Sequence, residues 1–265
     1  MNTIDAQVKK IKSDKRIGLM THVVVGYPNL TTSRHLIATM AEAGVDFIEL
    51  QIPFSDPLAD GPTLMRANQV ALGHKIRVKD AMRLMEEFST TARIPLLFMT
   101  YFNIVFNYGV EAFCRDAAQA GCSGLIVPDL PLDEEYNDRL TYFAQQHNMY
   151  VIRTLAPVTP PHRLELNARS ARGFLYLSGQ QGVTGARREL DENIFLSIQR
   201  VKRYSGMPLA VGFGISRSTH IKQLKGHADI AVVGSEVLNV YHQADPNNAI
   251  SAVRCFVREL AEATR

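Results

Sequence analysis

No apolar run in this chain approaches the ~18 residues that cross a bilayer. The stretch from Met1 to Arg16 is polar and lysine-rich, without the apolar core of a secretory leader. Cysteine is scarce: Cys114, Cys122 and Cys255 form an odd set with no CxxC spacing, and Cys114, on the apolar side of a helical pattern, reads as a reduced core thiol. Charge of one sign is not in excess. The net charge is +3 and basic residues alternate with acids, which excludes the clustered stripe of a nucleic-acid footprint. None of the nine lysines falls in an expected strand, so a lysine reaching into a sheet or barrel to form an imine is excluded. Of the eight histidines only His22 lies on an expected strand, and no HxxxH or His/Cys cluster suggests a metal site. Neither a GxSxG nucleophile elbow nor a GxxxxGK[ST] phosphate loop is present. A soluble, cytoplasmic protein with no membrane or nucleic-acid partner is expected.

What is there is a regular alternation. With 46% hydrophobic residues the chain can bury a large core. Short apolar strands are expected at Leu19–Val25, Phe47–Ile52, Pro95–Met99, Gly124–Pro128, Tyr150–Leu155, Phe174–Leu177, Leu209–Gly212 and Ile230–Gly234. Between them run helix-period stripes such as Leu36/Ile37/Met40, Val78/Ala81/Met82/Met85, Val110/Phe113/Cys114/Ala117, Tyr136/Leu140/Phe143, Ile194/Ile198/Val201 and Val253/Phe256/Leu260. A helix near His162–Ser170 is the least patterned of the set. Eight strand–helix units without a composition break predict an α/β fold, a single (β/α)8 TIM barrel over residues 1–265 with an extra N-terminal helix. An open doubly wound sheet is the alternative. Two loops after strands are long, Pro53–Pro62 and Ser178–Asp191, and in a barrel both lie at the C-terminal face where active sites form.

The segment from Phe47 to Thr63 carries the chemistry. An apolar strand holding Glu49 runs into a loop that contains Pro53, Pro57, Pro62 and a second acid, Asp60. Alternation puts Phe47, Glu49 and Gln51 on one side and Ile48, Leu50 and Ile52 on the other. The all-apolar set suits the helix layer, so Glu49 points into the barrel. A buried carboxylate is costly unless paired or used, and two acids in different environments are what general acid–base catalysis needs. A second constellation consists of glycines on three successive loops: Gly182-Val183-Thr184-Gly185, Gly212-Phe213-Gly214-Ile215-Ser216 and Gly234-Ser235. Backbone N–H groups there make an anion site, typically for phosphate. Metal-free, cofactor-free acid–base work on a small phosphate ester is the chemistry that remains.

These residues resemble the α-subunit family of tryptophan synthase. The likeness rests on Glu-Leu-x-Ile-Pro-Phe-Ser-Asp-Pro-Leu-Ala-Asp-Gly-Pro at 49–62, reinforced by Met99-Thr100-Tyr101-Phe102-Asn103, Val127-Pro128-Asp129-Leu130-Pro131, Gly182-Val183-Thr184-Gly185-Ala186 and Gly212-Phe213-Gly214-Ile215-Ser216. The resemblance implies retro-aldol cleavage of indole-3-glycerol phosphate to indole and glyceraldehyde 3-phosphate. It implies no cofactor in this chain, pyridoxal phosphate being carried by a β-subunit partner, in an assembly of two α and two β chains. By the same resemblance Glu49 is the proton carrier, Asp60 stabilises charge on the indole ring, and Tyr176 lies near the catalytic acid. Thr184 is the lid threonine that secures Asp60. Gly185, Gly214, Gly234 and Ser235 bind phosphate, and Tyr101 and Phe213 are substrate-contacting positions.

Several positions depart from the family pattern. Gln51 stands where glycine is usual, and its amide is expected to bond Glu49 or narrow the pocket. His22 stands where an aromatic residue usually lines the indole site and reads as a stacking ring. Met65 replaces glutamine, Ile104 replaces proline near the partner surface, and Glu236 replaces a small residue beside the phosphate site. A weakened subunit kept to activate its β partner, and a stand-alone lyase releasing indole, both remain open at this point.

Overall fold

The computed structural model describes residues 1–179 and 190–265. Eight parallel strands close into a barrel in chain order: β1 Gly18–Val24, β2 Phe47–Gln51, β3 Leu96–Met99, β4 Gly124–Ile126, β5 Tyr150–Leu155, β6 Leu175–Ser178, β7 Leu209–Gly212 and β8 Ile230–Val233. Closure is made where Gly18–Thr21 of β1 run beside Ile230–Val233 of β8. Every strand is found within one or two residues of its expected limits. The largest shortening is at β4, which stops at Ile126 because Val127 turns back to accept the Leu130 N–H at 3.3 Å and Pro128 has no N–H to pair.

The expected alternation separates two cores. Ile48, Leu50 and Ile52 pack outward with helix residues such as Leu36, Met40 and Met85, whereas Met20, Phe47, Leu97, Ile126, Phe174 and Ala210 fill the barrel. The extra N-terminal helix, Thr3–Ser13, belongs to the inner set through Ile4, Val8 and Ile11. Asn2 caps it, accepting the Ile4 N–H at 2.8 Å while its amide donates to Ser123 O at 2.9 Å and Asn148 O at 2.6 Å. Gly124 makes room for this plug: a Cβ there would lie 3.0 Å from Ile4 Cδ1 and 2.8 Å from Tyr150 O. Asp46, ahead of β2, accepts from both terminal guanidinium nitrogens of Arg16 at 2.7 Å and from the Leu19 N–H at 2.9 Å.

Three helices fall outside the stripes read from the sequence: Pro62–Gly73, Phe102–Tyr108 and Ser235–Gln243. The first opens on a proline, which suits a first turn, and buries Asn68, a polar residue that breaks the apolar stripe. The Tyr136/Leu140/Phe143 stripe is corrected. Arg139, at φ 55°, interrupts it, leaving short helices Glu135–Asp138 and Leu140–Gln146, and Tyr136 is 91% exposed rather than packed. The helix near His162–Ser170 is present as Pro161–Ser170. None of the three cysteines forms a disulfide among the described residues; Cys114 and Cys122 are buried and Cys255 is exposed. Among the described residues no helix is long and apolar enough to cross a membrane.

Candidate active site

A cavity of about 1110 Å3 opens at the C-terminal end of the strands, and its wall includes His22, Glu49, Asp60, Tyr176, Gly212, Gly214, Gly234 and Ser235. Parallel register sets the first pair. His22 on β1 stands beside Glu49 on β2, two residues below Gln51 on the same inward face. All three are buried. His22 Nδ1 lies 2.8 Å from Glu49 Oε2, and its Nε2 lies 2.9 Å from Gln51 Oε1. Gln51 Nε2 in turn donates to Asp60 Oδ2 at 2.6 Å. The two acids are thus ends of one hydrogen-bonded chain: Glu49, His22, Gln51, Asp60.

This extends one expectation and corrects another. His22 is more than a ring on the pocket wall, because both its nitrogens are engaged in hydrogen bonds. Gln51 does not bond Glu49; it bridges His22 and Asp60. Strand register brings these groups within reach, and a histidine with a glutamine two positions above its partner acid has just the length to span to the loop.

The loop that delivers Asp60 is braced from beneath. Asp60 N–H turns back to Pro57 O at 3.0 Å. Asn68, in the helix Pro62–Gly73, accepts the Phe54 N–H at 2.9 Å and donates to Asp60 Oδ2 at 3.2 Å and Leu64 O at 2.8 Å. Tyr101 stacks on Phe54 with centroids 5.1 Å apart, and its hydroxyl accepts the Ala59 N–H at 3.1 Å. Tyr101 therefore stands behind the loop, and it is absent from the cavity wall. Phe213 is also off the wall, buried in the outer core and facing the Gly179 position. Strand alternation explains this, since Phe213, the residue after β7, continues the outward side of Leu209 and Val211. Asn68 was not singled out from the sequence; its only signal there is an amide on the helix side that also carries Leu64 and Ala71. Thr184 and Gly185 lie outside the described residues.

Electrostatics separate the groups. Burial raises the Asp60 carboxyl above its ordinary value, opposed by the Gln51 hydrogen bond and the His22 charge. Burial pulls His22 down, but its hydrogen bond to Glu49 and the charges of Glu49 and Asp60 outweigh that, so the imidazole is raised overall. The Tyr176 hydroxyl is held well above its usual range by burial and by both acids, so it stays a neutral phenol. Tyr176 lies across Gly212, where a Cβ would come within 2.9 Å of its hydroxyl. Glu236, in the first turn of the helix Ser235–Gln243, lines the cavity beside Ser235, with one carboxylate oxygen held by Asn239 Nδ2 at 2.9 Å. No group of three or more His, Cys, Asp or Glu suited to a metal ion occurs among the described residues.

Comparison with known proteins gives the arrangement a family. The profile of the family described as Tryptophan synthase alpha chain matches residues 8–265. The tryptophan synthase alpha chain of Desulfotalea psychrophila is 42% identical over 258 residues, 97% of this chain and 99% of its own. That of Chloroflexus aggregans is 38% identical across 100% of this chain and 98% of its own. Among solved structures, Mycobacterium tuberculosis tryptophan synthase superposes with a TM-score of 0.90 at 34% identity, covering 99% of this chain and 98% of that one. The chain belongs to the tryptophan synthase alpha chain family.

Proposed function

We propose that Glu49 and Asp60 carry out, in this chain, the reaction of its family: cleavage of indole-3-glycerol phosphate to indole and glyceraldehyde 3-phosphate, a carbon–carbon lyase step of tryptophan biosynthesis. The observation that carries the reading is that both acids reach one cavity, one from β2 and one from the loop after it, with Gly214, Gly234 and Ser235 on its wall. Breaking the C3–C3′ bond requires C3 of the indole to gain a proton, which turns the ring into a leaving group. Glu49 as a carboxylic acid supplies that proton. The resulting carboxylate takes the proton of the glycerol hydroxyl as its carbon becomes the aldehyde, so Glu49 ends as it began. Asp60 accepts the indole N–H and stabilises positive charge on the ring. Tyr176, a buried neutral phenol, shapes the site beside the acids.

Backbone amides at Gly214, Gly234 and Ser235 receive the phosphate, with Gly185 completing the set and Thr184 securing Asp60 on closure. Tyr101 acts by bracing the Asp60 loop. Phe213 backs the β7 end of the pocket. The chain works as one barrel domain, in the cytoplasm, with a β subunit that carries pyridoxal phosphate, as two α and two β chains. Exposed apolar side chains support a partner at this face: Leu58 at 87%, Phe106 at 63% and Val158 at 82% exposure, on loops and a helix that follow β2, β3 and β5.

The test is indole release from indole-3-glycerol phosphate, with and without β subunit. Indole formation that rises on adding the partner is the expected result. Absence of indole in both conditions would remove the reading.

A further inference from the structure

Neither His22 nor Gln51 has a proton role in the reading above, yet their geometry dictates one. Gln51 Nε2 faces a carboxylate oxygen of Asp60, an acceptor, at 2.6 Å. The amide orientation is thereby determined, and the atom presented to His22 Nε2 is the carbonyl Oε1 at 2.9 Å. A carbonyl oxygen only accepts, so His22 Nε2 carries a hydrogen. The neutral imidazole has then no hydrogen on Nδ1. At the 2.8 Å contact between Nδ1 and Glu49 Oε2 a single proton is held between the two atoms. In one state Glu49 is a carboxylic acid donating to neutral imidazole; in the other it is a carboxylate accepting from imidazolium. Glu49 Oε1, buried at the cavity wall, has no hydrogen-bond partner among the described residues.

We propose that His22 is a proton reservoir for Glu49, and that Gln51 is a positioning residue that selects the imidazole tautomer and ties the pair to Asp60. This rests on the reading of Glu49 as the proton carrier. The transfer balances within the pair. The Nδ1–H bond breaks and a Glu49 O–H bond forms, cancelling the charges of imidazolium and carboxylate. Glu49 passes that proton to C3, takes one back from the glycerol hydroxyl, and the pair is restored without a co-reactant. The ionisable groups facing His22 are Glu49 from β2 and Asp60 from the loop after it. Tyr176 of β6 feels the charge of both acids, and β8 presents no titratable side chain. With His22 Nδ1 at 2.8 Å, a Glu49 carboxylate has a proton donor already in hydrogen-bond contact. The bridge also couples the two ends of the site, since any shift of Asp60 on substrate binding reaches Glu49 through Gln51 and His22.

The decisive measurement is the imidazole 15N spectrum of the full chain across pH, with the His22 signals assigned by their loss in His22→Phe. Nε2 is expected to stay protonated throughout, with Nδ1 alone titrating. In Glu49→Gln that titration is expected to move to lower pH, and in Gln51→Met the two neutral tautomers are expected to mix. In kinetics, His22→Phe is expected to shift the basic limb of the kcat profile to lower pH. Its kcat should fall about tenfold near pH 8 and less near pH 6, with KM within about twofold. Gln51→Met keeps the imidazole and is expected to show the same shift in smaller measure. A neutral His22 protonated on Nδ1, or a kcat profile unmoved in both variants, would overturn the proposal. Because the spectrum needs no substrate, a correct tautomer in a chain that releases no indole would sink the cleavage reading and leave only the bridge.

Discussion

The two ends of the barrel are made by the same eight strands but obey opposite rules, and β2 contains the contrast within five residues. Phe47, at the lower end, packs in one apolar cluster with the N-terminal helix and with Phe174, edge to face at 5.7 Å. Glu49 and Gln51, two and four positions on, are as deeply buried but belong to a network of hydrogen bonds. At the lower end, apolar surface leaves water at roughly 25 cal/mol per Å2, and the fit of Ile4 over Gly124 needs only volume. At the mouth, each buried polar group costs stability unless paired, so position, tautomer and register all matter. The lesson is that one end can be altered at the expense of stability alone, while the other changes chemistry.

That contrast is sharpened first by Glu49→Gln. Indole formation is expected to fall by about 10²–10⁴-fold, while thermal unfolding and β-subunit binding stay close to wild type. Turnover comparable to wild type would take Glu49 out of the mechanism. Ile4→Ala probes the opposite end. It removes a fully buried side chain from the plug and should destabilise the fold by about 2–5 kcal/mol, with kcat per folded molecule unchanged; denaturant unfolding and kinetics together check it. A fall in kcat would mean the two ends are not separable.

Asp60→Asn comes next, with kcat expected to drop on the order of 10²-fold while inhibition by inorganic phosphate is unaltered. A change confined to phosphate affinity would contradict its role on the indole ring. The smallest effect is on stability against pH. His22 is raised in the fold above its ordinary 6.5, so its contribution is fully present below that value and is lost as pH rises through the higher, folded one. Asp60, raised above 3.8, has the same sign at lower pH. Wild type should therefore lose stability relative to His22→Phe as pH rises above 6.5, measured by urea unfolding, and a flat difference would show that the imidazole is not held charged.

Much of this was legible in the chain before any coordinates. Strand period placed Glu49 inward and Ile48 and Leu50 outward, and the alternation of eight units gave the barrel with its N-terminal helix. The family motifs pointed to the acid pair. Other features were not legible, for identifiable reasons. The helix Pro62–Gly73 has a buried Asn68 that spoils its stripe, though that amide is what holds Asp60. Phe213 was placed among substrate contacts because its motif is, whereas pleat parity turns its ring to the outer core. His22 and Gln51 were read singly, as a ring and an amide, because nothing in their sequence spacing of 29 residues couples them.

Local order and burial were thus determined by the sequence itself, because alternation, capping and apolar volume act between neighbours along the chain. The tertiary structure alone decided which polar groups meet. Parallel register between β1 and β2 set His22 against Glu49, and the braced loop brought Asp60 to Gln51. Hydrogen bonds form or fail over tenths of an ångström, and that distance is a property of packed strands and loops rather than of residue order.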